Sequence, residues 1–258
     1  PSIPETRLIV IRRTQGWRAL QLQDVWEFRD LLYFMVWRDV KVRYKQTALG
    51  VAWIALQPLV STLIFSGLFG LLLKVPSGDV PYPVFALSGL LPWNYFSGAL
   101  TRASGSLVQN ANLINKVYFP RVLMPMSAVV SGLIDAGVVF VLMLAVMLFF
   151  GFSLRSEMIF LPLFILLAVV TALGFGMWLA ALNVRYRDVG FLIPFLTQIW
   201  LYVTPVIYPT TLIPAALRPL LALNPMTAVV EGFRWALLGD RLQGALPTAE
   251  LFAISTLV

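Results

Sequence analysis

Cysteine and histidine are both absent from the 258-residue sequence, and charged residues make up only 12% of it. Without cysteine there are no disulfides, thiolate ligands or catalytic thiols. Without histidine the commonest metal ligand and the usual general base at neutral pH are missing as well. Ordinary soluble domains carry roughly 25% charged residues. We therefore expect a membrane protein with no metal site and no catalytic residues.

Nucleotide-binding signatures are absent too. No phosphate-binding loop of the form G-x-x-x-x-G-K-[ST] occurs, and no G-x-G-x-x-G follows a strand-like run. The chain is therefore not expected to be an enzyme that hydrolyses a nucleotide by itself or to hold a cofactor. The net charge of +7 does not predict nucleic-acid binding, because the basic residues near the N-terminus alternate with acidic and aromatic ones.

The uncharged runs have the length of membrane-spanning helices, which need about 20 residues to cross the hydrocarbon. Five such runs and the opening of a sixth predict an all-α integral membrane protein with a six-helix transmembrane bundle over residues 49–258. The predicted spans are residues 49–73, 82–101, 122–154, 158–184, 189–208 and 245–258, the last of them truncated. Nothing in the first 20 residues has the apolar core of a cleaved signal peptide.

Basic residues are distributed unevenly between the two sides of this topology. One side carries 14 of the 19 Lys and Arg and the other carries 5. The positive-inside rule then predicts a cytoplasmic N-terminal segment, residues 1–48.

Within that segment, residues 25–45 predict an amphipathic interface helix. Phe28, Leu32 and Met35 form its apolar side, opposite a charged side that includes Glu27 and Lys41. Three further charges fall inside the apolar arc: Arg29, Asp39 and Arg43. We expect these three to contact protein, since lipid would not accommodate them, and a kink near Trp37 is the alternative.

Two features inside the spans concern packing. Small residues recur four apart at Ala128, Gly132 and Ala136 and along residues 168–180, which predicts close helix contacts in spans three and four. Asp135 is the single charge deep within a span. A carboxylate there can serve a structural role, bonded to Ser, Asn or a backbone carbonyl, or a role in coupling or in the transport path.

Aromatic and amide residues form stripes in spans one, two and five. An interfacial aromatic belt explains several of them. The alternative is a carbohydrate path, since sugar rings stack on aromatic faces and hydroxyls pair with amides. The candidate path residues are Trp53, Gln57, Tyr95, Phe191, Phe195, Gln198 and Tyr202.

Residues 210–240 are too apolar for a free loop and too interrupted by proline for a full span. They predict an outward re-entrant gate hairpin of two short helices, with Asn224, Pro225, Glu231 and Arg234 as gate residues. We expect Glu231 and Arg234 to be exposed near the outer surface.

Three stretches resemble the permease subunits of bacterial ABC exporters for polysaccharides, the class that moves O-antigen, capsule or teichoic-acid chains. They are FMVWRDVKVRYKQTALGVAWIALQPL, RYRDVGFLIPFLTQIWLYVTPVIYP and LNPMTAVVEGFRWALLG. The likeness covers nearly the whole chain in the same order. It departs at the C-terminus, where family members usually complete the sixth span and end in a short charged tail.

The resemblance implies a homodimer in the bacterial cytoplasmic (inner) membrane that exports a lipid-linked glycan. Two copies of a separate ATPase subunit, which bind ATP and Mg, would lie beneath it. The polar segment 102–121 is then the candidate coupling segment, and the turn at 184–189 is a second contact. The candidate coupling residues are Asn110, Asn112, Asn115, Lys116, Arg185 and Asp188.

Three other functions are considered. An ion-coupled secondary transporter would favour paired intramembrane carboxylates and inverted repeats, and neither is found. A glycan-processing enzyme would favour acids or a metal at the membrane surface, where Glu231 and Asp240 are the nearest pair. An ABC permease for a small lipid or drug is the main alternative.

Overall fold

A computed structural model of the chain describes residues 22–45, 50 and 52–239, and the secondary structure of these residues is helical throughout. The predicted sixth span, Asp240 and most of the N-terminal segment before the interface helix lie outside the described residues.

Ten helices follow one another along the described chain. The first five are α1 (Leu22–Glu27), α2 (Arg29–Tyr44), α3 (Ala52–Phe65, continued by a π-helical stretch Ser66–Leu72), α4 (Tyr82–Gln109) and α5 (Ala111–Ile114). The second five are α6 (Leu123–Phe149), α7 (Leu161–Arg185, preceded by a 3-10 turn Ser156–Phe160), α8 (Val189–Val203), α9 (Arg218–Ala222) and α10 (Pro225–Leu238).

Three of the described helical segments are long and apolar enough to cross a membrane: Ala52–Leu72, Leu123–Phe149 and Ser156–Arg185. They coincide with predicted spans one, three and four. At ~1.5 Å per residue, the 28 residues of α4 extend ~42 Å, although its second half is polar. Helix α8 is apolar but only 15 residues long.

Two helices end at residues other than those predicted for their spans. Span two was expected to end at residue 101, but α4 continues to Gln109 because Ala103, Ser104 and Ser106 are buried against the bundle. Span five was expected to reach residue 208, but α8 ends at Val203. Thr204 is extended there, as the residue before a proline usually is, and Pro205 cannot donate a helical hydrogen bond.

Helix α4 is the centre of the bundle, packed against α3, α6, α7, α8 and α10. The small residues predicted to face neighbours are buried on α6 (Ala128 and Gly132) and on α7 (Ala168, Ala172, Gly176 and Ala180), whereas Ala136 is half-buried. A Cβ atom built on Gly176 would lie 2.7 Å from the Cβ atom of Ala103 on α4. The packing prediction is therefore confirmed, and α4 is the partner of both stripes.

Residues 210–239 form two 3-10 turns (Thr210–Leu212 and Ala215–Leu217) followed by α9 and α10. Every side chain of α10 except Trp235 is buried, against α4, α7 and the turn before α7. The segment predicted as a hairpin thus contains two α-helices, of five and 14 residues. We call the end of the bundle that holds α5 the α5 end, and the opposite end, where α10 begins, the α10 end.

Gly176→Ala should lower the midpoint of thermal unfolding, because the added methyl group meets Ala103 on α4 and overpacking costs about 1–3 kcal/mol. Gly174→Ala is the matched control, since a Cβ atom there meets nothing within 4 Å. The measurement is thermal unfolding of the detergent-purified protein. Equal midpoints for the two variants would contradict close packing of α7 on α4.

Candidate functional site

The interface helix α2 is fixed to α6 by charged side chains. Arg43 forms an ion pair with Asp135 and donates to the Ser131 hydroxyl at 3.2 Å. The Tyr44 hydroxyl also donates to Asp135. Burial raises the pKa of Tyr44 above its ordinary value, so the hydroxyl stays protonated at neutral pH. Asp135 is thus held by two residues of α2, where Ser, Asn or a backbone carbonyl was expected.

Asp39 is the second charge of α2 that contacts protein. Its carboxylate accepts from the Ser127 hydroxyl of α6 at 3.1 Å and from Arg38 at 2.8 Å. The expectation that charges on the apolar arc meet protein is therefore confirmed for Asp39 and Arg43.

Arg29 makes no such contact with the neighbouring described helices: its side chain is exposed beside Asp30 and over the Trp26 ring, so its predicted contact with protein stays a prediction. Arg29 begins α2, beyond the contact with α6. The alternative of a helix break near Trp37 does not hold, because α2 runs without interruption from Arg29 to Tyr44 and the helical run breaks at Phe28.

A small hydrophobic cluster joins α2 to the α5 end. Met35 is buried against Phe119, Leu123 and Met124, and apolar side chains of α5 pack on the same cluster. Arg38 adds a polar link by donating to the Asn110 side-chain oxygen at 3.2 Å. The interface helix, the predicted coupling segment and the start of α6 therefore form one packed unit.

The predicted coupling residues divide into an exposed set and an anchoring residue. Asn112, Asn115 and Lys116 are exposed on and just after α5. Asn110 is only partly exposed, and its amide donates to the Ser106 carbonyl at 2.9 Å. The coupling segment is not a single separate element, because residues 102–109 continue α4.

Arg185 and Asp188 lie at the turn between α7 and α8, where both are exposed. This turn is at the α5 end, since the nearby Asn183 amide donates to the Ser104 carbonyl of α4 at 3.0 Å. The structure thus places both predicted coupling elements on the same end of the bundle.

The predicted path residues of α8 lie on an open face. Phe191 is 85% exposed, and Phe195, Gln198 and Tyr202 are exposed along the same side. The opposite side, with Ile193 and Thr197, is buried. On α3, Trp53 and Gln57 are exposed as well. Helix α3 packs on α4 and α6, whereas α8 packs on α4 and α7, so the two stripes occupy different flanks of α4.

Tyr95 does not share this exposure. It is only 6% exposed, and its hydroxyl donates to the Val129 carbonyl of α6 at 3.4 Å. Tyr95 is therefore enclosed within the bundle, because α4 is packed between its neighbours, and it lies apart from the open face of the other candidate path residues.

Tyr95 instead forms part of the wall of a cavity of about 420 Å³ between α2, α3, α4 and α6. This volume falls within the range of about 300–1,000 Å³ typical of ligand sites. Among the described residues, three charged side chains line it: Arg43, Arg102 and Asp135. Its aromatic and amide walls include Trp53, Tyr44, Tyr95, Gln57 and Asn94.

Asn224 connects α10 to the end of α8. Its side-chain oxygen caps α10 by accepting from the Met226 backbone N–H at 3.1 Å, and it also accepts from the Trp200 indole at 2.9 Å. Its amide donates to the Thr204 hydroxyl at 2.9 Å. Pro225 follows as the first residue of α10, where its missing N–H costs no helical hydrogen bond.

Glu231 and Arg234 are buried, at 5% and 1% exposure, so the expectation that they are exposed near the outer surface is wrong. Arg234 donates to Glu231 at 3.2 Å and to the backbone carbonyls of Pro205 and Val206. Its guanidinium also lies 3.9 Å from the centre of the Phe85 ring. Glu231 and Arg234 are enclosed because α10 packs inside the bundle. There Arg234 binds backbone carbonyls that lie beyond the end of α8.

Sequence reasoning missed the pairing of Arg43 with Asp135 and the role of Arg102 in the cavity. A signal for the pair was present: Arg43 was a cation on an apolar arc and Asp135 an anion inside a span. Two opposite charges that both lie in apolar surroundings stabilise each other by pairing. Arg102 had no such signal, because it begins the polar segment 102–121, which is predicted to couple to the ATPase.

The sequence matches the ABC-2 type transporter membrane family over residues 30–238, and the chain belongs to that family. It is 31% identical over 244 residues to an O-antigen export system permease protein, RfbA, of Myxococcus xanthus, with 92% of this chain and 91% of that protein covered. A Klebsiella pneumoniae RfbA is 28% identical, covering 80% of this chain and 79% of that protein. The polysialic acid transport protein KpsM of Escherichia coli is 27% identical, covering 78% of each.

Arg43→Gln and Asp135→Asn should each destabilise the protein by about 1–3 kcal/mol, because either change removes the hydrogen-bonded ion pair of a partly buried charge. The double variant should lose less than the sum of the two. Thermal unfolding of the four proteins completes the cycle, with the exposed Arg29→Gln as the control. Strictly additive losses would show that α2 is not fixed through this ion pair.

Proposed function

We propose that this chain is the permease of an ABC transporter that exports a lipid-linked polysaccharide across the bacterial cytoplasmic membrane. Two copies form the glycan channel, and two copies of a separate ATPase subunit supply the energy. The observation that carries the proposal is the exposed aromatic and amide stripe of α8, in a chain that aligns over nine-tenths of its length with an O-antigen export permease.

The amides distinguish a path from a lipid-facing surface. An aromatic or aliphatic side chain is stable in contact with lipid, whereas burying a polar group without a partner in hydrocarbon costs several kcal/mol. Gln198 and Gln57 are exposed on apolar helices. A water-filled channel that carries sugars accommodates both the amides and the aromatic rings, since the amides pair with hydroxyls and the rings stack on C–H faces.

A second copy of the chain would bring the two stripes together. Within one chain α3 and α8 lie on different flanks of α4. A two-fold axis can place α3 of one protomer opposite α8 of its partner and so enclose a single path between the copies. Helices α6 and α7, which bear the small-residue stripes, then lie towards the periphery.

The α5 end is the part of the bundle proposed to face the cytoplasm and to contact the ATPase. Exposed Asn112, Asn115 and Lys116 adjoin the packed unit of α2 and α5, so force applied there reaches α6 through Asp135. The excess of basic residues lies on the same side of the membrane. Spans two, five and six complete the six-helix count, and the segment from α9 to α10 closes the outer exit as a re-entrant gate.

An ABC permease for a small lipid or drug remains the alternative. The continuous exposed stripe of α8, residues 191–202, favours a long polymer, because several weak stacking contacts guide it without a deep binding site.

Phe195→Ala should lower polysaccharide export about fivefold, the effect of losing one stacking contact of about 1 kcal/mol. Tyr202→Ala should act similarly. Export is measured as surface polysaccharide in cells lacking their own permease. The matched control is Phe149→Ala, an exposed aromatic at the end of α6 and outside both stripes. If the control reduces export as much as Phe195→Ala does, the stripe is not the path.

Lys116→Glu and Asn112→Trp should lower transport-stimulated ATP hydrolysis of the assembled transporter while the permease remains folded, because both side chains lie on the small exposed surface proposed to contact the ATPase. Lys74→Glu changes an exposed lysine beyond the other end of α3 and should leave hydrolysis unchanged. Wild-type stimulation in both α5-end variants would exclude this docking surface.

A further inference from the structure

The cavity between α2, α3, α4 and α6 carries an unbalanced positive charge. Within the part of the chain that the structure describes, its charged lining consists of Arg43, Arg102 and Asp135. The Asp135 carboxylate accepts hydrogen bonds from Arg43 and from the Tyr44 hydroxyl. It lies 4.0 Å from the nearest Arg102 nitrogen. Asp135 therefore neutralises one arginine, and the charge of Arg102 remains.

Arg102 also has unused hydrogen-bond donors. A guanidinium has five N–H donors, and the one bond that Arg102 makes within the described residues runs from Nε to the Ala128 carbonyl at 3.5 Å. Its side chain is 32% exposed. The two terminal nitrogens accordingly have a charge and donors available towards the cavity. Gly132 leaves room for this guanidinium, since a Cβ atom there would lie 2.3 Å from Nη2.

The remaining walls are suited to a sugar. Trp53 offers an aromatic ring, and Gln57 and Asn94 offer amides, all on the lining of the same cavity. A planar guanidinium binds phosphate oxygens with paired, charge-assisted hydrogen bonds. Arg102 is therefore a partly buried cation with donors available on the cavity wall.

We infer that this cavity binds a phosphate headgroup, with Arg102 on the phosphate and the aromatic and amide walls on the group beside it. The inference rests on the proposed function. It names the phosphate at the lipid end of the exported glycan as the group that the permease recognises. Both a polyprenyl-phosphate carrier and an ordinary phospholipid present this chemistry, and the experiment distinguishes them.

The test measures binding of geranylgeranyl diphosphate and of geranylgeraniol, the same chain without phosphate, to the purified permease with its ATPase subunit in detergent. The diphosphate should bind wild type at least about tenfold more tightly, the effect of charge-assisted hydrogen bonds to one arginine. This comparison needs no variant. Equal affinity for the two lipids overturns the inference.

Variants assign the effect to Arg102. Arg102→Gln should lose the preference for the diphosphate, and Arg102→Lys should retain most of it. Arg121→Gln, an exposed arginine near the start of α6, is the matched control and should bind as wild type does. Wild-type affinity in Arg102→Gln, or equal losses in the Gln and Lys variants, overturns the assignment.

Competition identifies the source of the phosphate. Displacement of geranylgeranyl diphosphate by an equal concentration of phosphatidylglycerol supports a site for phospholipid headgroups, and its failure to compete supports a polyprenyl carrier. Unchanged binding in Arg102→Gln together with normal export of polysaccharide removes the cavity assignment and leaves the proposed function. Binding of the diphosphate by a chain that exports no polysaccharide keeps the cavity assignment and removes the proposed function.

Discussion

Close packing against α4 is the constraint on which the rest of the structure depends. Small residues of α6 and α7 allow both helices to approach α4, and Gly176 would accept no Cβ atom beside Ala103 without a shift. In a membrane, where lipid is as apolar as leucine, such van der Waals contacts and interhelical hydrogen bonds hold helices together. Helix α4 is enclosed in this way, whereas the flanking helices α3 and α8 leave their aromatic and amide stripes exposed.

Polar bonds then attach the less apolar elements to this core. At the α5 end, Asp135 holds α2 through Arg43 and Tyr44, and it leaves Arg102 charged beside a cavity. At the α10 end, Arg234 binds the carbonyls of Pro205 and Val206 and Asn224 binds Thr204, so α10 is fixed to the point where α8 stops. Each attachment places a charge or an amide where it has partners, as the low dielectric of the surroundings requires.

The sequence was informative wherever a periodic pattern met a single physical requirement. Runs of apolar residues predicted α3, α6 and α7, spacings of four predicted the buried faces of α6 and α7, and misplaced charges predicted that Asp39 and Arg43 meet protein. It was uninformative where tertiary contacts decide. In the sequence Glu231 and Arg234 look like surface charges, but in the fold Arg234 binds Glu231 and the carbonyls beyond α8. Tyr95 looks like a residue of the interfacial aromatic belt, but it is buried because α4 is central. The polarity of residues 102–109 concealed a helix that the bundle buries.

The central claim is that two copies of the chain bring α3 and α8 face to face around one path. A chain without cysteine allows a direct measurement: co-expression of a Gln57→Cys chain with a Phe195→Cys chain, followed by a bifunctional maleimide in native membranes. The two side chains lie at similar depth from the α5 end and are exposed on their helices. The account predicts a cross-linked dimer of the two different chains and none when Val170→Cys on α7 replaces either one. Cross-linking through Val170→Cys, with none between α3 and α8, would contradict it.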